Sequence, residues 1–340
     1  MGLFSKFTDT IILKETSELQ KKYGALERLA KEYPNNTEVK EELFRVKQGL
    51  DGEKEILYQL KKSNLGLYVL HDINLQYQDL KAQIDFVVIS PMYCYFIECK
   101  NLYGNITVNE QGDFVREYQF NGKKIVKGMY SPLRQVEAQR DVYKKIWNLT
   151  LSSNPIWNSI KRKIAEKNFK DTYRILVVAA NNETILNTKN VPNGMKNQII
   201  RSDSLVRRIE EDLNNSDKTL WENQKSQEEW ARHFLIHNYE PNIIYYDYYK
   251  DKYHLAQIKE ITKSIYEKKR NDIKEKLKSL RKDISQEVNI PAYYIFNNEE
   301  LDKILETMPK TIEELRKILP EIKVKCHGEK ILGVINKENS

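Results

Sequence analysis

Apolar positions recur along this chain at two periods, and the change from one to the other marks its elements. Within residues 8–48, Leu19, Tyr23, Leu26 and Ala30 return every three or four residues, the spacing of one helix face. Tyr33-Pro34-Asn35-Asn36 breaks the pattern. Thr37 with Glu38, Glu41 and Glu42 restarts it, placing acids at the positive end of a helix dipole. Two helices are therefore predicted over 8–48, and a further helix over 52–61 from Ile56, Leu57 and Leu60. The following runs are short and rich in β-branched and aromatic residues. They predict strands over 67–75, 84–90 and 93–99, the last two joined by a turn at Pro91-Met92, then over 104–108 and 114–120, ending at the turn Asn121-Gly122. Leu133, Val136, Val142 and Ile146 mark a helix over 132–147. An apolar strand over 174–180 and a helix over 202–214 with Leu205, Ile209 and Leu213 on its inner face complete the series.

Helix, strands, helix, strand, helix in this order predicts an α/β domain with a mixed central sheet. The chain divides into an N-terminal helical arm over 1–48, the α/β domain over 49–215, a helical connector over 216–270 and an all-α bundle over 271–338. In the bundle Ile273, Leu277, Leu280, Ile284 and Val288 form one stripe. Asn297 stands three residues before Glu300, and Thr311 three before Glu314, the spacing of capping boxes.

Composition narrows the function classes. Of 340 residues 40% are hydrophobic and 31% charged, and 21 are Tyr, which fits a folded chain and not a disordered one. No apolar run approaches the roughly 20 residues of a membrane span. The start has neither a secretory pattern nor a myristoylation pattern, because Lys6 stands where Ser or Thr is needed. Cys94, Cys99 and Cys326 form no CxxC pair and read as reduced thiols, so a cytoplasmic protein without membrane attachment is expected. His233 and His237 lie four apart, but nothing nearby completes a zinc site; Cys99 lacks a partner His for nucleophilic work. No Walker or GxGxxG loop is present. The net charge is +7, concentrated in 151–215 and 250–270, as at Lys161-Arg162-Lys163 and Lys268-Lys269-Arg270. Such runs neutralise phosphates or form solvated helix faces, and Tyr245, Tyr246, Tyr248 and Tyr249 stack on bases or fill a core.

One constellation carries chemistry. Asp85 lies in the 84–90 strand, and Glu98 and Lys100 end the next. Residues two apart on a strand share a face, so Glu98 and Lys100 project together and Cys99 points away. If the two strands form a hairpin, Asp85 lies beside Glu98. Two carboxylates with the backbone carbonyl of Cys99 between them suit a hard cation such as Mg2+ or Mn2+. A lysine beside that cation suits phosphodiester cleavage. The bland alternative is a surface ion pair.

Gly52-Glu53, Gln83-Ile84-Asp85-Phe86-Val87-Val88, Phe96-Ile97-Glu98-Cys99-Lys100-Asn101, Tyr103-Gly104-Asn105-Ile106 and Ser131-Pro132-Leu133-Arg134-Gln135 together resemble the nuclease-related domain, NERD, of the PD-(D/E)XK nuclease superfamily. The resemblance covers roughly residues 50–180. It implies a PD-(D/E)XK nuclease-like core and a bacterial Mg2+- or Mn2+-dependent endonuclease acting on DNA, in DNA processing or defence against foreign DNA. In that reading Asp85 and Glu98 hold the metal, Lys100 acts on the attacking water, Glu53 supports the metal's surroundings and Gln135 orients Lys100 or a phosphate. Ser131 departs from the Asn common in the family.

Leu277 to Ile284, Ile290-Pro291-Ala292-Tyr293-Tyr294, Met308-Pro309-Lys310-Thr311 and His327-Gly328-Glu329-Lys330 resemble an HRDC domain, the accessory helical module of RecQ-type helicases and RNase D. Residues 271–340 hold 13 basic and 13 acidic side chains, so this copy exerts no net pull on DNA. Docking of a helicase or another protein partner stands beside nucleic-acid binding. The rival to the enzyme reading is a non-catalytic nucleic-acid-binding or scaffold protein.

Overall fold

The structure is a computed structural model that describes residues 7–120, 122–153, 166–181 and 183–337. Met1–Lys6, the Lys161–Lys163 cluster and Asn121 lie outside the described residues. The chain forms two compact units, residues 1–249 and 250–340.

The first unit is α/β, as predicted. Its elements begin with strand β1 (Ile11–Lys14), helix α1 (Glu18–Glu32) and helix α2 (Thr37–Lys61). Strands β2 (Tyr68–Tyr77), β3 (Leu80–Ile89), β4 (Cys94–Lys100), β5 (Asn105–Val108), β6 (Phe114–Phe120) and β7 (Lys123–Met129) follow. Helix α3 (Pro132–Ser153), strands β8 (Tyr173–Ala179), β9 (Leu186–Asn187) and β10 (Ile199–Arg201), and helices α4 (Leu205–Asn214), α5 (Gln224–His237) and α6 (Tyr245–Lys252) complete the series. The main sheet has the order β1-β2-β3-β4-β8-β10 and is mixed: β2-β3-β4 is an antiparallel meander, while β1, β8 and β10 pair in parallel. A smaller sheet runs β7-β6-β5-β9.

Both faces of the main sheet are buried, so its strands read as near-continuous apolar runs. One face packs Tyr68, Leu70, Ile84, Val87 and Phe96 under α3 and α5, through Val136, Tyr143, Ala231 and Phe234. The other packs Val69, Phe86, Val88, Tyr95 and Ile97 under α2 and α4, through Ile56, Leu60, Leu205 and Ile209.

The structure departs from the sequence expectations in instructive places. Residues 11–14 form an edge strand where only helix was expected; four residues are too few for a period to show. The helix predicted over 52–61 is the second half of α2, which runs through the expected boundary at 48/49 without a break. Gly49 and Gly52 weaken helix propensity by about 1 kcal/mol each, but Gly52 has a packing role. A Cβ there would lie 2.5 Å from Asn101 Cβ and 3.1 Å from Cys99 Sγ, so its absence lets α2 approach the end of β4. Strand β7 was missed because Lys-Lys-Ile-Val-Lys-Gly-Met has no apolar alternation. The two-residue link from β6 to β7 contains Gly122 at φ +73°, the conformation for which glycine is favoured.

The second unit is helical, with α7 (Leu255–Glu287), α8 (Asn298–Thr307), α9 (Ile312–Arg316) and α10 (Glu321–Lys337). Helix α7 is continuous across 270/271. Ile273, Leu277, Leu301, Ile304, Leu315, Ile331 and Ile335 close its core. The capping box at Asn297 and Glu300 is present in full. At the second box Thr311 caps the Glu314 N–H, but the Glu314 carboxylate accepts from Lys310 N instead of the cap residue.

Candidate active site

Strands β3 and β4 do pair as a hairpin, in a register with Phe86 opposite Ile97. The pairing ends there, with Asp85 and Glu98 the next residue on each strand. Asp85 Oδ2 accepts the Cys99 N–H at 2.7 Å. In an extended residue N–H and C=O face the same edge, so the Cys99 carbonyl faces the Asp85 side as well.

A local slip in the sheet aims Asp85. Along β3, Ala82 and Ile84 belong to the α3 face, as do Val87 and Ile89; the alternation loses one step at Asp85–Phe86. Along β2, Tyr68 and Leu70 share that face with Ile73 and Leu75, with the step lost at His71–Asp72. Asp72 carries the irregularity in its backbone, at φ +58°. The pairing keeps one register on both sides of the step, with His71 opposite Phe86 and Ile73 opposite Ile84, so the two strands turn over together.

Glu98 is nearly fully buried, and both its oxygens are held. Oε1 accepts from Lys100 Nζ at 2.5 Å and Oε2 from Gln139 Nε2 at 3.1 Å. Lys100 Nζ also donates to Gln135 Oε1 at 3.3 Å. The predicted face shared by Glu98 and Lys100 is therefore present, turned toward α3. Cys99 points to the opposite face, against Gly52 of α2. Its thiol is pushed well up, first by burial and then by the Asp85, Glu53 and Glu98 carboxylates, which leaves it a poor nucleophile.

Glu53 approaches from α2. Its Oε2 lies 2.8 Å from His71 Nε2, while His71 Nδ1 lies 2.9 Å from the Glu15 carbonyl and the ring stacks on Phe86. Burial, then Glu98, then Glu53, pushes the Asp85 carboxyl well above the usual range, against the Cys99 N–H and Lys100. The Glu98 and Glu53 carboxylates therefore both bear on Asp85, with Lys100 opposing them.

Sequence reasoning missed two participants. His71 and Asp72 are adjacent in the sequence, the pattern of a local strand-end pair. Instead both lie within β2, His71 bound to Glu53, and Asp72 accepting from Glu18 N at 2.6 Å and Gln83 Nε2 at 2.8 Å. Gln139 was not considered, although it lies four residues after Gln135, the spacing that places two residues on one helix face.

The other candidates resolve more plainly. Tyr245 and Tyr246 hydroxyls donate to Glu18 and Glu32 of α1, and Tyr245 and Tyr249 are buried, so packing accounts for them. His233 Nδ1 lies 3.2 Å from the Tyr143 hydroxyl, and His237 Nδ1 donates to the His233 carbonyl at 2.8 Å. Among the described residues no three His, Cys, Asp or Glu side chains form a metal cage. No helix among them is long and apolar enough to cross a membrane.

Asp85, Glu98 and the Cys99 carbonyl still form an all-oxygen donor set. Magnesium is held by one or two carboxylates and keeps several waters. Two carboxylates and a carbonyl are hard oxygen donors of the kind this cation takes, so the donor set fits the metal the sequence implied.

Comparison with known families gives two matches. Residues 48–165 match the nuclease-related domain, NERD, and residues 270–335 match the HRDC domain. No curated protein and no solved structure matches the chain. The chain carries a nuclease-related domain, within whose matched residues Asp85, Glu98 and Lys100 lie, followed by an HRDC domain.

Proposed function

We propose that the protein is a metal-dependent nuclease that hydrolyses DNA phosphodiester bonds in the manner of PD-(D/E)XK enzymes. One observation carries the reading: the hairpin register brings Asp85 to Glu98, with Lys100 on the Glu98 face. Asp85, Glu98 and the Cys99 carbonyl would hold Mg2+ or Mn2+. When bound, the cation supplies Lewis-acid stabilisation of charge at the phosphate.

The chain's own residues do the rest. Lys100, which neutralises Glu98 here, turns its ammonium toward the attacking water or a phosphate oxygen once the carboxylate is otherwise engaged. Gln135 keeps the Lys100 side chain directed along α3, and Gln139 fixes the second Glu98 oxygen. Glu53, oriented by His71, adds negative charge that strengthens cation binding. The HRDC domain, with balanced charge, serves docking to nucleic acid or to a protein such as a helicase.

The test is cleavage of plasmid DNA in Mg2+, in Mn2+ and in EDTA. Cleavage in either metal and none in EDTA is expected, with Asp85→Ala inactive but folded by circular dichroism. Undiminished cleavage by Asp85→Ala would overturn the assignment. Binding of DNA without cleavage under every condition would favour the non-catalytic reading.

A further inference from the structure

The β6–β7 ribbon is the most exposed element joined to the site. At its root Phe114 is buried, and its partner Met129 packs against the core. Beyond this pair the ribbon carries Arg116 opposite Lys127 and ends in Lys123. Pairing and alternation put Arg116, Tyr118, Lys123, Ile125 and Lys127 on one face. Lys123 and Lys127 are exposed, and among the described residues neither they nor Arg116 has an ion-pair partner. Lys124, on the other face, is held by Glu117 at 2.8 Å.

Arg116 opposite Lys127 is a like-charge pair, which weakens a hairpin unless an anion lies between the charges. The Arg116 guanidinium is already positioned: Cζ sits 4.5 Å over the Tyr118 ring, and Nε donates to the Tyr103 carbonyl at 2.6 Å. Both ends of the meander connect to the site. β5 starts five residues after Lys100, and β7 leads through Tyr130 and Ser131 into α3, which carries Gln135.

A simpler account exists for the lysines. β7 is an edge strand, and edge strands use lysine to prevent pairing with other chains. That account does not cover Arg116, which lies on β6 inside the sheet.

We propose that the β6–β7 ribbon enters a groove of double-helical DNA, with Arg116, Lys123 and Lys127 on its phosphates. The inference rests on the nuclease reading and adds the surface by which that site meets its substrate. Strands about 4.8 Å apart make a ribbon that the roughly 12 Å major groove of B-DNA admits. The deep, narrow major groove of A-form RNA does not admit one.

The experiment compares the full-length parent with Lys123→Gln/Lys127→Gln, both positions being exposed so that the fold is retained. Equilibrium binding to a short DNA duplex is measured across a salt series in Ca2+, with an RNA duplex alongside, and single-turnover cleavage is measured in Mg2+ at saturating DNA. Two lost phosphate contacts lower the salt slope by about 1.8, which is about 30-fold in affinity near 0.15 M salt. Cleavage at saturation stays within about twofold, and Lys123→Glu/Lys127→Glu binds more weakly still. Unchanged affinity and slope in a parent that binds and cuts would overturn the ribbon alone. Self-association of the variant with unchanged affinity would do the same, and assign the lysines to edge protection. Equal loss on RNA and DNA duplexes would overturn insertion into a groove. A parent that binds no duplex would overturn both this inference and the nuclease reading.

Discussion

At the scale of single residues, Lys100 separates an enzyme from a binder. Its ammonium is 2.5 Å from Glu98 and 3.3 Å from Gln135, so the nuclease proposal assigns it to the reacting end of the site and not to a long binding surface. Lys100→Ala is expected to cut at least about 100-fold more slowly, the scale of losing one preorganised electrostatic group. Its DNA affinity in Ca2+ should stay within about tenfold, since one phosphate contact among many contributes little. Parent-like cleavage by this variant would remove Lys100 from the mechanism. His233 gives a second residue-level expectation. Burial and the neighbouring His237 lower it to about 4, with the Tyr143 hydroxyl facing it from α3. Its folded value lies below the ordinary 6.5, so its contribution to stability is complete above about 6.5 and lost as pH falls through about 4. His233→Gln should flatten denaturation midpoints over that window; parallel curves for the two proteins would disprove this origin.

At the scale of elements, the meeting of α2 and β4 positions the site. Gly52 lets the helix approach the strand, and Asn101 Nδ2 ties the contact by donating to the Gln48 carbonyl at 2.6 Å. An added methyl at 52 meets a Cβ, which cannot swing aside as a long side chain would. Gly52→Ala is therefore expected to destabilise by about 1–3 kcal/mol, the usual cost of overpacking, although alanine is the better helix former. Urea denaturation measures it, and a stabilised variant would show that helix propensity outweighs the close approach. The same principle explains Asp85. A β-strand expects strict alternation, yet Ile84 and Val87 share a face because β2 and β3 lose a step together at His71–Asp72 and Asp85–Phe86.

At the scale of the whole molecule, the two units have separate cores. Two transitions are therefore expected on heating. Leu277→Ala, inside the helical core, should lower only the transition of the C-terminal unit, by about 2–5 kcal/mol for a fully buried leucine. Calorimetry with a cleavage assay checks this, and loss of both transitions together would show one cooperative unit. Helix α2 runs across 48/49 and α7 across 270/271, because a change of composition along a helix leaves its hydrogen-bonding unbroken.

The sequence by itself determined the α/β class, the major strands, the Asn297 cap and the Asp85, Glu98 and Lys100 constellation. These depend on local quantities: apolar period, cap chemistry and the two-residue face rule that joins Glu98 to Lys100. It could not show β1 or β7, whose residues carry no period, since their strand form comes from a neighbour's hydrogen bonds. It could not show the role of His71, because a histidine beside an aspartate looks like a local pair until α2 brings Glu53 against it. The tertiary structure alone decided the slip that aims Asp85 and the placing of Gln139 on Glu98. Each requires groups distant in sequence to meet, and such meetings are set by the packing of helices on the sheet and not by any single segment.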